Sequence, residues 1–157
     1  MINVQVIQST DPHADQLEKL RQYASVPNDQ RDALLMSCLK KALLTIQAHT
    51  DTALLHCTLR MTVPDVKNGE SFRLYQGGRR VVSVKDQDGN EPRFSQDEDR
   101  ITIKQACQRI IVEYENEVLP AEALKLEPTA WQYATALYDG EDAATLADIL
   151  KQTYGCR

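Results

Sequence analysis

The sequence lacks any long hydrophobic run. No apolar stretch approaches the roughly 20 residues that a transmembrane helix needs, and the N-terminal segment MINVQVIQSTDPH has no basic region of the kind that opens a secretory signal. Low-complexity tracts and internal repeats are lacking as well. These absences predict a soluble, unexported globular protein with no membrane partner.

Cysteine is scarce, and its spacing points to no metal or redox site. Cys38, Cys57, Cys107 and Cys156 lie far apart and form no C-x-x-C pair, so neither a zinc knuckle nor a redox motif is present. Cys38 and Cys57 fall on apolar stripes, where a reduced thiol behaves as a small hydrophobic side chain. This pattern favours a reducing compartment, although four thiols also permit disulfides in an extracellular setting.

Local catalytic signatures are absent too. The sequence contains no hydrolase G-x-S-x-G, no phosphate-binding G-x-x-x-x-G-K-[ST] and no zinc-binding H-E-x-x-H. A cysteine nucleophile paired with one of the three histidines would leave no local signature. A small cysteine-dependent enzyme therefore stays an alternative, but we predict no catalytic residues and no cofactor.

Two groups of residues resemble metal ligands, and both fit poorly. His56 and Cys57, which lie near His49 in sequence, are adjacent in an alternating strand and should point to opposite faces. The acidic residues within 86–88 and 97–99 lack the alternating loop and the distal glutamate of a calcium site. We predict no metal site and interpret these residues as a helix-end histidine, an exposed strand histidine, a core thiol and solvated acidic loops.

Positive charge is in deficit. The 18 basic and 23 acidic side chains give a formal net charge of −5. Because nucleic-acid binding depends on clustered Lys and Arg, a protein that grips DNA is disfavoured. An acidic surface is nevertheless suited to a protein that must let a polyanion slide past.

The first third of the chain is patterned as one strand followed by helices. With 157 residues and 42% hydrophobic residues, the length predicts a single domain. Residues 2–7, INVQVI, alternate as a short strand, and residues 14–24 predict a short helix that ends before Pro27. Residues 29–49 predict a longer amphipathic helix, with these residues at helical spacing: Leu35, Cys38, Leu39, Ala42, Leu43 and Ile46.

The middle of the chain, residues 53–115, predicts an antiparallel β region. In residues 53–63 Cys57, Leu59, Met61 and Val63 alternate with His56, Thr58, Arg60 and Thr62, which predicts one buried and one exposed or partner-facing side. Pro64 is expected to close this strand. Further strands are predicted around Phe72, Val81–Val84, Ile101–Ile103 and Ile110–Tyr114, with a loop at residues 86–90 in which Gly89 supplies a positive φ.

The last part of the chain returns to a helical period. We predict a short turn from Pro120 and a main helix over residues 128–139, since both prolines suit a first helical position. A terminal arm, residues 141–157, follows Gly140. The predicted fold class is therefore α+β, with amphipathic helices packed on a small antiparallel β region, an N-terminal extension and a helical C-terminal arm.

Several residues are candidates for contact with a partner, each with a plainer alternative. Gly77-Gly78 followed by two arginines could clamp a phosphate, although a turn followed by solvated arginines is favoured. The tryptophan of the C-terminal helix could anchor a partner, although core packing is favoured. The arm is equally suited to intermolecular docking and to folding back. The partner-interface candidates are Arg79, Arg80, Trp131, Leu146, Ile149 and Leu150.

The order of elements and several short phrases resemble the head–tail connector (adaptor) proteins of tailed bacteriophages and prophages. The resemblance spans about Asp29 to Tyr138 and is carried chiefly by RRVVSVKDQDG, RIIVEYENEVLPAEALK and WQYATALYDG. The chain departs from the family pattern at three places. It has Gly77-Gly78-Arg79-Arg80 where a proline-containing turn is common, an apparent addition at INVQVIQSTDPH, and a proline at position 128 of an often continuous helix.

The resemblance implies a structural subunit of a ring at the capsid vertex. Such a ring holds about twelve copies of the chain, contacts the portal protein and a tail-completion protein, and leaves a channel through which DNA passes without specific binding. It also implies a location in the virion neck after assembly in the cytoplasm of a bacterial host. Another phage neck or tail-completion assembly factor is the alternative that shares most of these features.

Overall fold

The computed structural model describes residues 1–25 and 31–140. Contacts divide the chain into two compact units: a β unit, Met1–Thr10 with Asp51–Val118, and a helical unit, Asp11–Thr50 with the chain from Leu119 onward. The three helices and two antiparallel sheets of the described residues confirm the predicted α+β class. A single connector-like domain over residues 1–157 stays a prediction.

The helical unit contains α1 (Ala14–Ala24), α2 (Asp32–Thr50) and α3 (Pro120–Tyr138). Helix α1 begins with a capping box, in which the His13 side chain accepts the N–H of Asp15 at 3.2 Å and the Gln16 side chain accepts the N–H of His13 at 3.1 Å. Helix α2 packs against α3, and α1 contacts both. The α2 stripe is buried as predicted, at Leu35, Cys38, Leu39, Ala42, Leu43 and Ile46.

One helix boundary differs from its prediction, and another is not tested. The predicted start of α2 at residue 29 lies outside the described residues, since α2 is described from Asp32. The prediction of a separate helix from Pro128 is wrong, because α3 begins at Pro120 and continues through Pro128. Pro128 is exposed, so its ring lies off the buried stripe that continues on both sides of it. Burial of that stripe offsets the one helical hydrogen bond that proline removes.

The β unit contains seven strands in two antiparallel sheets. The strands are β1 (Asn3–Ser9), β2 (Cys57–Val66), β3 (Glu70–Arg73), β4 (Gly78–Asp86), β5 (Phe94–Asp97), β6 (Arg100–Ile103) and β7 (Cys107–Asn116). The larger sheet has the order β1-β2-β7-β4, and the smaller has the order β3-β6-β5. The N-terminal segment is therefore an edge strand of the main sheet.

Strand β2 differs from its prediction at both ends. It begins at Cys57 and continues through Pro64 to Val66, so the prediction that Pro64 closes it is wrong. The last residue of β2 that pairs with β1 is Thr62, opposite Asn3. Beyond that point β2 has only β7 as a neighbour, and a strand with one free side tolerates a residue without an N–H.

The short strand β5 was not predicted. Only Phe94 in Phe94–Asp97 is strongly apolar, so the segment carries no alternating signal. It pairs with β6 from Phe94 opposite Ile103 to Asp97 opposite Arg100. The acidic residues Glu98 and Asp99, predicted as a solvated loop, form the turn of this hairpin.

No helix within residues 1–25 and 31–140 is both long enough and apolar enough to span a membrane.

Candidate partner-binding surface of the β unit

The main sheet has one buried and one polar side, as the alternation in β2 predicted. Leu59, Met61 and Val112 are fully or almost fully buried. The opposite side carries Thr58, Arg60 and Thr62 of β2 beside Ile111, Glu113 and Glu115 of β7, in register from Thr62 opposite Ile111 to Thr58 opposite Glu115. This polar side is the surface that the sequence predicted to be exposed or partner-facing.

Charges on the polar side are paired across strands. Arg60 donates through Nε and Nη2 to Glu113 Oε1 at 3.2 and 2.9 Å. Arg80 of β4 binds Glu115 Oε2 through Nε at 3.0 Å and Nη2 at 2.9 Å. Directly opposed, oppositely charged side chains are the arrangement that stabilises neighbouring antiparallel strands. On the polar side of the main sheet, Arg60 and Arg80 are therefore each paired with a glutamate of β7.

Arg79 and Arg80 follow a turn, as the favoured interpretation of this segment has it, but both lie near glutamates and are not simply solvated, and their role as partner contacts stays a prediction. Tyr75–Gly77 form the turn, with φ of +75° at Gly77, and β4 begins at Gly78. Arg79 Nε lies 3.9 Å from Glu117 Oε2, while Arg80 is held by Glu115. The Arg80 side chain is 72% exposed, so it can also reach a partner.

Close packing fixes the position of this turn. A Cβ on Gly77 would lie 2.6 Å from the Cβ of Ala53, and a Cβ on Gly78 would lie 2.5 Å from the Tyr114 ring. Tyr114 is fully buried, and its hydroxyl donates to the carbonyl of Tyr75 at 3.1 Å. Burial, and after it the nearby carboxylate of Asp51, raises the pKa of the Tyr114 hydroxyl above its ordinary value.

Two side chains join this turn to other segments of the β unit. Asn116, 4% exposed, accepts the N–H of Cys57 at 2.7 Å and donates to the carbonyls of Leu55 at 2.9 Å and Gln76 at 3.3 Å. Asp51 accepts the N–H of Gln76 and lies 2.5 Å from Arg73 Nη1. The start of β4, which carries both candidate arginines, is thus held rigidly.

A shallow polar depression of about 190 Å³ lies at one end of the sheet. It is lined by Gln8, Ser9, Thr10, His56, Thr58 and Glu115. Glu115 is already engaged by Arg80. The depression therefore offers hydrogen-bonding groups to a partner.

The residues weighed as metal ligands have separate structural roles. His56 is exposed, whereas Cys57 is 1% exposed and directs its thiol to the carbonyl of Leu55, so the two side chains point apart as predicted. Asp86 Oδ1 accepts the N–H groups of Asp88 and Asn90 within its own loop. Within residues 1–25 and 31–140, no group of three or more His, Cys, Asp or Glu side chains is placed to hold a metal ion.

The cysteine thiols in the described residues are buried. Cys38, Cys57 and Cys107 are 8%, 1% and 6% exposed. Burial raises the pKa of the Cys38 thiol, and Lys41 opposes that change only in part. A nucleophilic cysteine needs exposure and a lowered pKa, so these three thiols have the character of core side chains. Cys156 lies outside the described residues.

Of the remaining partner candidates, only Trp131 lies within the described residues. Trp131 is 8% exposed in α3, the burial that core packing predicts, and its role as a partner contact stays a prediction. Leu146, Ile149, Leu150 and the predicted helical arm lie outside the described residues.

Two exposed residues at the sheet edges were missed by the sequence analysis. Ile7 in β1 and Val82 in β4 are 40% and 53% exposed, and each lies where the register of its strand shifts. The available signal was a pair of adjacent apolar residues, Val6-Ile7 and Val81-Val82, which interrupts an alternating pattern and indicates a bulge.

Solved structures share this fold, whereas no protein-family model and no curated protein matches the sequence. One match is a chain of the neck of an empty gene transfer agent (GTA) particle computed with C6 symmetry. Its TM-score is 0.65 at 17% identity, over 99% of this chain and 96% of that chain. Another is a chain of the virion of a native GTA particle, with a TM-score of 0.61 at 15% identity, over 98% and 96% of the two chains. Over nearly its whole length, the chain therefore has the fold of a chain found in the neck of a gene transfer agent particle, consistent with the phage head–tail connector family that its sequence resembles.

Proposed function

We propose that the protein is a structural subunit of a phage or prophage head–tail connector ring, which joins the portal to the tail around the DNA channel. The observation that carries this proposal is the fold match to a chain of a particle neck, because it covers 99% of this chain and 96% of the other. The match is nearly complete in both directions, so the whole fold, and not one part of it, supports the proposal. The ring is assembled in the bacterial host cytoplasm and becomes part of the virion neck.

The ring contains about twelve copies, related by heterologous contacts that close by rotation. The related neck was computed with C6 symmetry, which is compatible with six copies or a multiple of six. In such a ring each subunit presents two different surfaces to its two neighbours. Neither surface needs an active site.

The charge distribution suits a channel that DNA passes through. The net charge is −5, and Arg60 and Arg80 are each held by a glutamate of β7. An arginine engaged by a carboxylate is less available to a phosphate, so the polar side of the sheet has little affinity for a nucleic acid backbone. DNA therefore moves through the ring without specific binding.

A different neck or tail-completion factor is the second candidate, since a fold shared with a chain of a particle neck does not distinguish one neck protein from another. A small cysteine-dependent enzyme is disfavoured, because the thiols of Cys38, Cys57 and Cys107 are buried. We assign the chain no catalytic role.

A capture experiment separates the two assembly roles. Purified protein is mixed with immobilised portal rings, with immobilised tail-completion protein, and with both, and the bound copies are counted by quantitative mass spectrometry. A connector binds the portal and then recruits the tail-completion protein. Binding to the tail-completion protein alone would favour the second candidate, and binding to neither would contradict both.

A further inference from the structure

In the part of the chain that the structure describes, the main sheet ends in two edges with no further strand beside them. Its order β1-β2-β7-β4 places β1 at one edge and β4 at the other. Among residues 1–25 and 31–140, β1 pairs only with β2 and β4 only with β7. The carbonyl of Arg79 accepts a hydrogen bond from the Gln96 side chain at 2.5 Å, so the longest open stretch of β4 follows that residue.

Each edge exposes an apolar β-branched residue at a bulge. The β1 register skips from Val6 to Gln8, and the β4 register skips from Val81 to Ser83. The skipped residues, Ile7 and Val82, are 40% and 53% exposed. Apart from the terminal Met1, they are the exposed large apolar side chains of the described β unit. A bulge alone can blunt a sheet edge, but an exposed isoleucine or valine on it favours contact with another protein surface.

Apart from its bulge, strand β1 lacks the usual protection of a sheet edge. Its sequence, NVQVIQS, contains no charged residue and no proline. Natural edge strands commonly carry lysine, another inward-pointing charge or proline, which discourage pairing with a further strand. An uncharged strand of seven residues at the edge of a sheet is suited to accept another strand.

Strand direction identifies which strand fits there. Each of the pairs β1·β2, β2·β7 and β7·β4 is antiparallel, so β1 and β4 run in opposite directions. If a second copy is related by rotation about an axis along the strands, its β1 comes beside β4 in antiparallel orientation. The polar sides of both copies then face the same way. The sheet can therefore continue from copy to copy without a change of pairing type.

Charge favours this heterologous junction over self-pairing of β4. Two copies of β4 placed side by side would bring together two strands that each carry Arg79, Arg80 and Lys85 against one carboxylate, Asp86, and like charges on neighbouring strands are destabilising. The uncharged β1 opposes β4 without that repulsion. Self-pairing of β1 is neutral as well, but it is a two-fold contact that ends at a dimer.

We infer that adjacent copies in the ring join edge to edge, with β4 of one copy pairing antiparallel with β1 of the next, so that the main sheets form one continuous belt. This inference rests on the proposed ring and adds the surface that closes it. Ile7 and Val82 lie on the two strands that meet at each junction and become covered on assembly.

Cross-linking at the two bulges tests the inference. Ile7→Cys, Val82→Cys and the double variant are made in a Cys156→Ser background, and a short bismaleimide is added to the assembled ring with portal present. The other cysteines are buried. The belt predicts a ladder up to the full ring for the double variant, a heterodimer for an equimolar mixture of the single variants, and no cross-link for either single variant alone.

The outcomes separate the junction from the ring itself. A dimer from Ile7→Cys alone would show β1 self-pairing and overturn the inference. A ring that forms without cross-links would overturn the inference and leave the proposed function standing. If native mass spectrometry finds no ring even with portal present, both fail.

Hydrogen exchange in the unmodified chain is a second test, which does not depend on the variants assembling. Assembly should slow amide exchange by at least about tenfold in open positions of β1 and β4. Strand β5, an edge of the smaller sheet, is the matched control and should not change. Equal slowing in all three strands, or none in β1 and β4, would overturn the inference.

Discussion

The side chain of Asn116 accepts the backbone N–H of Cys57 at 2.7 Å in the interior of the β unit. The same side chain donates to Leu55 and Gln76, so one residue at the end of β7 fixes the start of β2 and the turn before β4. A buried amide with its hydrogen bonds formed specifies one arrangement of the segments that it joins. The positions of the sheet edge and of its arginines depend on that arrangement.

Replacing this amide should destabilise the β unit strongly. Asn116→Ala removes three hydrogen bonds from a buried site, and we expect the free energy of unfolding to fall by at least about 2 kcal/mol. Urea denaturation followed by circular dichroism measures the change. Asn90→Ala, at an exposed loop position, is the control and should have little effect. Equal losses for the two variants would refute a structural role for Asn116.

Alanine substitutions at Gly77 and Gly89 test how tightly the turn before β4 is packed, with Gly89 as the control. Both have positive φ, +75° and +81°, but a Cβ on Gly77 would meet Ala53 at 2.6 Å, whereas nothing lies within 4 Å of a Cβ on Gly89. Alanine strains both backbones alike. Gly77→Ala should therefore lower the free energy of unfolding by about 1–3 kcal/mol more than Gly89→Ala. Equal destabilisation in urea would mean that the contact with Ala53 is easily relaxed.

Stability at alkaline pH should depend on Tyr114. Its pKa is raised above the ordinary value of 10.0 by burial, so the folded state keeps the proton while the unfolded state loses it. The contribution of the protonated Tyr114 hydroxyl to the free energy of unfolding is fully present below about pH 10 and declines as the pH rises further. Tyr114→Phe loses the hydrogen bond to Tyr75, which should lower the free energy of unfolding by about 1 kcal/mol at pH 8. The variant has no hydroxyl to titrate at this position, so its stability should not fall with pH for this reason. The difference in unfolding free energy between the two proteins should narrow towards about pH 10.5, and a constant difference would contradict the raised pKa.

Arg79 and Arg80 should matter more for assembly than for folding. Exposed ion pairs contribute little to stability, so the double variant Arg79→Ala/Arg80→Ala should change the free energy of unfolding by less than about 1 kcal/mol. If β4 contacts a partner, its assembly should weaken by about tenfold or more, measured by sedimentation velocity with portal. Arg93→Ala/Arg100→Ala removes the same charge from exposed positions elsewhere in the β unit. An equal effect in that control would assign the result to net charge.

Side-chain periodicity predicted the faces of the elements better than their ends. The alternation from Cys57 to Val63 was confirmed, because side chains of a strand point to the same face at every second residue and the apolar residues follow that period. The end of β2 was not predictable, because Pro64 is tolerated where β2 no longer has β1 as a partner, and local sequence does not show where that is. Pro128 is a similar case, since the buried stripe of α3 outweighs a local helix-breaking signal.

The candidate surface could be predicted only as single residues. Arg80 and its partner Glu115 are 35 positions apart, so their pairing follows from strand register and not from local sequence. The weak strand β5 likewise depends on its neighbour β6. In the sequence, the bulges at Ile7 and Val82 are indicated only weakly, by two adjacent apolar residues at each position. That both residues lie on outer strands of the sheet follows only from the strand order of the described residues.

The most direct test of the connector account is the mass of the assembled protein. Light scattering across a concentration series, alone and with portal rings from the same genome, gives that mass, and negative-stain images give the shape. The account predicts closed rings of about twelve copies in at least the portal-containing samples. A chain that stays monomeric at every concentration, with and without portal, would contradict it.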